Sequence, residues 1–252
     1  MRGARRLGLK SMIDELLNLH IYRYMDMMHF IMLLESKKIR INRRNTFSDY
    51  LERSLELDNQ FWLQAVGHNI PENLNYRLRA NAVDLSEKSK SHKEYSYLPT
   101  SCWTLQEKED YLMWKSYTNG VGVRIHTTVG NFMRSINGVE DRFNLLCNKI
   151  EYKIDNIYCS AEDNLFIKHP AYENEKEFRF YFLSQNENHT LHSMSLSETN
   201  QKRYIEVQVD TDDLIMDVTL SPFINEKVAT VLKRWINAEY GVTVRLSTIK
   251  LN

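Results

Sequence analysis

Glu177-Phe178-Arg179-Phe180-Tyr181-Phe182 is the stretch whose reading decides the fold. Side chains alternate along an extended backbone, so the three phenylalanines share one face and Glu177, Arg179 and Tyr181 share the other. The aromatic face anchors the strand in a core and lets the opposite face hold charged groups in fixed positions. If the extended conformation reaches back two residues, Glu175 joins that face, and the nearby Lys168-His169-Pro170 brings a cation and an imidazole to the same neighbourhood. Two outcomes follow from this pattern. The charges orient a ribose or steady a developing cation, or they form a solvated salt bridge worth at most about 1 kcal/mol.

Outward from this strand, apolar spacing predicts strands and helices without a regular βαβ rhythm. Upstream, His20 to Tyr24 reads as extended, and Asp26 caps a helix running to about Lys37 with Met27, Phe30, Ile31 and Leu34 at core spacing. Lys38 to Asn42 alternates like a strand. Tyr97 to Thr104 is a strand, Gln106 to Thr118 a helix, and Gly120 to Thr127 a strand with Val121, Val123 and Ile125 on one side. A helix near Thr128 to Ile136 precedes a strand around Leu145 to Lys153. Downstream come Tyr204 to Val209, Ile215 to Leu220, a helix from Asn225 to Tyr240 stopped by Gly241, and a last strand from Val242 to Ile249. The expected fold is α+β, a mixed or antiparallel sheet core with flanking helices. One domain spanning residues 1–252 is the economical expectation, with a helical insertion or lid at about 50–92 and a polar surface loop from Gln185 to Gln201.

Composition narrows the function classes. Lys+Arg and Asp+Glu both number 33, so no global field attracts a polyanion, and nucleic acid is a disfavoured partner. Arg2, Arg5, Arg6 and Lys10 crowd the N-terminus, but Asp14 and Glu15 interrupt any apolar run behind them, which argues against a secretory signal. The most apolar stretch, Met25 to Leu34, is too short to span a bilayer. Cys102, Cys147 and Cys159 are widely spaced with no C-x-x-C pair, so a reducing cytoplasm fits, with neither a disulfide framework nor a structural zinc site. His189 and His192 form the closest approach to a histidine ligand pair, and no metal is expected.

Two further constellations carry chemistry-bearing residues. Ser101-Cys102-Trp103-Thr104 leads to a helix on which Asp110, Met113, Trp114 and Tyr117 form one stripe. Such a stripe is core, or a platform for a base or nicotinamide, and Tyr117 near the helix end is the ring expected to reach a pocket. Tyr22-Arg23-Tyr24 places a guanidinium on an otherwise apolar early strand. It cannot shed its charge, so it pairs internally or binds an anion.

These motifs, in this order, resemble the bacterial "domain of unknown function 2971" family. The shared elements are Tyr22-Arg23-Tyr24, Phe47-Ser48-Asp49-Tyr50-Leu51-Glu52, Cys102-Trp103-Thr104, Met113 to Tyr117 leading to Gly120 to Ile125, and Lys168-His169…Glu175-Lys176-Glu177-Phe178-Arg179. In the second element Ser48 replaces an asparagine and the family's proline is missing. The same order is similar, more distantly, to ADP-ribosyltransferases, which implies a split-sheet architecture and an NAD-consuming activity, as in a bacterial toxin or antiphage effector. That resemblance puts NAD pyrophosphate or ribose on Arg23, with Tyr22, Trp103, Thr104, Lys168, His169 and Arg179 around the nucleotide. It stacks Tyr117 or Trp114 on nicotinamide, gives Glu177 the ribose hydroxyl and the oxocarbenium-like charge, and lets Glu175 polarise the acceptor. No macromolecular acceptor is indicated.

Two other readings stand beside it. Glu151-Tyr152-Lys153 has the E-x-K form of a metal-dependent nuclease, with Asp141 as a second ligand. A non-catalytic nucleotide-sensing or protein-interaction module is the third, expected if Arg23, Glu175, Glu177 and Arg179 pair internally.

Overall fold

Charged and aromatic residues are distributed along the sheet in a way that both confirms and corrects those expectations. The computed structural model describes residues 13–47, 98–136, 143–153, 163–184 and 203–251. The predicted insertion at 50–92, the loop 185–201, the basic start, Ser48 to Glu52, Asp141, Cys159, His189 and His192 lie outside these residues.

A helical turn at 13–17 (α1) precedes β1 (His20–Asp26). Asp26 then caps α2 (Met27–Ser36), accepting the His29 amide, and Lys37 ends it in the left-handed region. Next come β2 (Lys38–Arg43), β3 (Pro99–Thr104), α3 (Tyr111–Tyr117), β4 (Gly122–Thr128) and α4 (Val129–Ser135). The chain continues through β5 (Phe143–Lys149), β6 (Glu151–Tyr152), β7 (Ile167–Lys168), β8 (Glu177–Ser184) and β9 (Tyr204–Gln208). It closes with α5 (Thr211–Leu214), β10 (Asp217–Leu220), α6 (Glu226–Tyr240) and β11 (Val244–Leu246).

Where element limits differ from the sequence pattern, side chains explain the difference. The helix predicted from Gln106 starts only at Tyr111, because Asp110 is its cap and accepts the Met113 amide. The strand predicted to run through Lys153 ends at Ile150, whose amide makes the last bond of the β5–β8 ladder to the Glu177 carbonyl, and Glu151–Tyr152 pairs with β7 instead. The last strand is three residues long because Ser247 and Thr248 turn to hydrogen-bond the Glu109 carboxylate.

The fold is α+β, with nine described strands in one mostly antiparallel sheet and helices beside it. The parallel pair in this sheet is β10 with β11. Strand β3 is the stem: one edge pairs along its length with β8, and β5 continues beyond β8. On its other edge β3 meets β1 at Tyr22↔Thr104 and β2 at Asn42↔Thr100 and Arg43↔Pro99. Between those two contacts Ser101, Cys102 and Trp103 have no strand partner on that side. On its other edge β1 pairs along its whole length with β4, and β2 pairs from Lys38 to Asn42 with β9. The sheet is therefore split, with α2 joining the two arms.

One apolar cluster holds both arms. Ile21 and Met25 of β1, Ile39 and Ile41 of β2 and the three phenylalanines of β8 are all buried in it. Phe132 of α4 closes against Trp103 and Phe180. As the sequence pattern implied, Phe178, Phe180 and Phe182 share the core face, and all three are fully buried. The opposite face of β8 is also buried, with Arg179 and Tyr181 at 0% exposure and Glu177 at 5%. The solvated-strand alternative is thereby overturned.

Candidate functional site

The buried charges on β8 form a cluster. Arg179 donates Nε–H to Glu177 Oε1 at 2.6 Å and Nη2–H to Glu177 Oε2 at 2.9 Å, a bidentate pair. Lys168 of β7 donates to Glu177 Oε2 at 3.2 Å and to Glu175 Oε2 at 2.7 Å. Glu175 lies at the end of a 3-10 helix, Pro170–Glu175, and not on the strand. It rejoins Glu177 through the Lys168 ammonium. Tyr117, at the end of α3, donates its hydroxyl to Glu175 Oε1 at 3.0 Å. Thr104 donates its hydroxyl to the Glu175 carbonyl at 2.6 Å, tying that turn to β3.

Electrostatics follow from these contacts. Burial pushes the Glu177 carboxyl up, but the Arg179 guanidinium, the Lys168 ammonium and the Cys102 thiol outweigh it and hold it at about 2. Burial and the Glu175 carboxylate push the Tyr117 hydroxyl well above the usual phenol range. The Tyr152 hydroxyl accepts the Glu177 amide and is pushed up to about 12 by burial, with the neighbouring carboxylates adding to the rise. Two carboxylates and two cations make up the cluster, so its formal charge balances.

Beside this cluster, at the split between the arms, is a cavity of about 430 Å³. That lies within the range of small-molecule sites, roughly 300–1,000 Å³. Arg23 crosses the split. Its Nη1–H donates to Ser101 Oγ at 3.2 Å and its Nη2–H to the Arg40 carbonyl at 3.3 Å. Among the described residues the hydrogen-bond acceptors of this part-buried guanidinium are neutral. Burial lowers its pKa, against which the Cys102 neighbour acts. Five cations (Arg23, Lys38, Arg40, Lys168, Arg179) and four carboxylates (Asp26, Glu175, Glu177, Glu206) line the cavity, so the excess is one positive charge. The β8 cluster balances itself and Glu206 stands against Arg40, so among the described residues Arg23 and Lys38 are the lining cations without a carboxylate partner, and Arg23 is the one that crosses the split.

The structure brings most of the sequence-derived candidates together. Tyr22, Arg23, Trp103, Thr104, Tyr117, Lys168, Glu175, Glu177 and Arg179 all line this one cavity. Two candidates stand elsewhere. Trp114 is fully buried, its ring edge against Tyr24 and its indole N–H on Glu109, so it is core and does not stack on a ligand. His169 caps the Pro170–Glu175 turn, its Nδ1 accepting the Ala171 amide at 3.1 Å, and is not on the cavity wall. Trp103 edges the cavity, but its indole N–H is used by Ser101 Oγ and its ring packs on Phe132. In the E-x-K motif, Lys153 pairs with Glu151 itself at 2.8 Å on the surface. Among the described residues no group of three or more His, Cys, Asp or Glu is placed to hold a metal ion.

Sequence reasoning missed one wall entirely. Asp26 Oδ2 meets His29 Nδ1, His29 Nε2 faces Arg40 Nη1 at 3.2 Å, and the Arg40 guanidinium lies 3.9 Å over the Tyr204 ring. The signal was present in part: a histidine three residues after an N-cap aspartate sits in the first helical turn beside it. Arg40, between Ile39 and Ile41, was bound to face away from the core. The return of β9 to deliver Tyr204 and Glu206 had no local signal.

No family model, curated protein or solved structure matches the chain. No described helix is long and apolar enough to cross a membrane.

Proposed function

We propose that the cavity at the split binds a nucleotide, with a phosphate on Arg23 and NAD as the ligand that the family resemblance singles out. The observation that carries this reading is a part-buried guanidinium, held by neutral acceptors, in a cavity that it shares with Glu175 and Glu177. A phosphate oxygen supplies the negative charge that Ser101 Oγ and the Arg40 carbonyl lack, and a guanidinium fork suits it geometrically. Glu175, Tyr117 and Thr104 line the same space and supply oxygens of the kind that recognise ribose hydroxyls.

The reaction proposed for such a ligand is cleavage of the nicotinamide–ribose bond, by hydrolysis or by ADP-ribosyl transfer. That step develops positive charge and needs a carboxylate near the ribose. Both Glu177 oxygens are committed to Arg179 and Lys168, whereas the Glu175 side chain is 17% exposed and holds a single cation. Glu175, with Tyr117, is therefore the carboxylate for that role, and Glu177 holds the site together. A second reading, binding without turnover, is favoured by the charge balance within the cluster, which leaves little net negative field for a cation.

Calorimetric titration with NAD, paired with a nicotinamide-release assay, tests both. Wild type binds NAD, and Arg23→Ala weakens binding by about 10- to 100-fold, the usual range for one hydrogen-bonded charge. Absence of binding by wild type at millimolar NAD refutes the nucleotide reading. Release that vanishes in Glu175→Gln while NAD still binds marks the transfer chemistry, and binding with no release in wild type marks the second reading.

A further inference from the structure

We infer that Arg40 is a second phosphate ligand, so that the pocket prefers a nucleotide carrying two linked phosphates over a monophosphate. This inference rests on the nucleotide reading above and narrows it. Arg23 and Arg40 stand on the two arms of the split sheet, and Arg23 Nη2–H already reaches across to the Arg40 backbone at 3.3 Å. Arg40 shares the outward face of β2 with Lys38 and Asn42, and all three line the cavity.

The Arg40 guanidinium is oriented but not saturated. The Tyr204 ring beneath it, at 3.9 Å, fixes its plane. Its carboxylate partner Glu206 stands 3.7 Å away, beyond the roughly 2.7–2.9 Å of a charge-assisted hydrogen bond. Its other partner is His29 Nε2 at 3.2 Å. Because Nδ1 of that ring faces the Asp26 carboxylate, Nδ1 carries the proton and Nε2 receives the Arg40 N–H as a neutral acceptor. A phosphate oxygen arriving in the cavity replaces that neutral acceptor with an anionic one. Tyr204 keeps the plane of the fork, and Asp26 keeps the imidazole in place when Arg40 leaves it. Two guanidinium groups on facing arms, both hydrogen-bonded to neutral acceptors and with Glu206 at 3.7 Å from Arg40, match two adjacent phosphates.

The test is calorimetric titration of wild type, Arg40→Ala and Arg40→Lys with ADP, AMP and inorganic pyrophosphate. Wild type is expected to bind ADP about tenfold or more tightly than AMP, in line with one additional charged hydrogen bond. In Arg40→Ala the ADP affinity falls to the AMP level while AMP stays within about twofold of wild type. Arg40→Lys keeps the charge without the fork and loses part of the preference; it carries the test if the alanine variant fails to fold. ADP and AMP binding wild type equally, or both weakening together in Arg40→Ala, overturns the inference and leaves nucleotide binding standing. Failure of wild type to bind any of the three overturns the nucleotide reading itself.

Discussion

Replacing Glu177 by glutamine separates a structural carboxylate from a catalytic one. The substitution keeps the side-chain shape but deletes the anion between Arg179 and Lys168, which are 2.6 Å and 3.2 Å from its oxygens. Arg179 is 0% exposed and cannot reach water. Removing one partner of a buried ion pair costs about 3–5 kcal/mol, because the remaining charge is left uncompensated. Linkage offers a separate route to the magnitude. A carboxyl held at about 2, against an ordinary 4.5, contributes on the order of 3 kcal/mol at neutral pH. The folded value is the depressed one, so this contribution is complete above pH 4.5 and disappears as the pH falls toward 2. Urea unfolding followed by circular dichroism should therefore show Glu177→Gln less stable by about 3–5 kcal/mol at pH 7. The gap to wild type should close progressively below pH 4.5. A variant that keeps wild-type stability within about 0.5 kcal/mol refutes the argument. If it also loses nicotinamide release, Glu177 is the reacting group and the assignment of Glu175 is wrong.

Further expectations follow from other contacts. Trp114→Ala empties a fully buried site and should cost about 3–5 kcal/mol in the same unfolding assay. A Cβ on Gly122 meets the Met25 carbonyl at 2.2 Å and Thr118 Cβ at 2.7 Å, so Gly122→Ala should lower stability by about 1–3 kcal/mol or more, with a drop in thermal midpoint as the readout. Glu109 accepts from the Trp114 indole, the Ser247 and Thr248 hydroxyls and the Thr248 amide. Glu109→Ala should speed hydrogen exchange at the Thr248 amide, and unchanged exchange there argues that the clasp contributes nothing. Asn225→Ala removes the cap of α6 and should cost about 1 kcal/mol.

The parts of the fold that were legible in the sequence are those set by local chemistry. The Asp26 cap, the Gly241 stop at φ +67° and the alternation in Glu177 to Phe182 each act through neighbours a few residues away. Strand β8 was recognisable, but the burial of both its faces was not, because that depends on β3 and β7 returning from distant parts of the chain. Trp114 and Tyr117 show the same limit. Their shared helical stripe was visible, but Trp114 turned inward against Tyr24 while Tyr117 reached Glu175, 58 positions along the chain. His169 looked like a site residue from its place beside Lys168, and a one-residue difference in direction made it a cap. The wall of Asp26, His29 and Arg40, with Tyr204 stacked behind Arg40, joins four elements, and sequence spacing encodes only its first pair.

The opening in the sheet has a consequence for how this scaffold can change over time. An unpaired strand edge is normally a hazard, since it templates association with another extended chain. Here the unpaired rim of β3 spans Ser101 to Trp103, but Ser101 and Trp103 are buried, Arg23 donates to Ser101 across it, and α2 residues His29, Met32 and Leu33 line the same cavity, so a foreign strand has no straight approach. A small molecule has room, and the groups that meet it hang from the inner margins of two arms whose apolar undersides share one core. New ligand preferences can thus arise by exchanging a few residues such as Arg40 or Tyr117, with the phenylalanine layer left as it is.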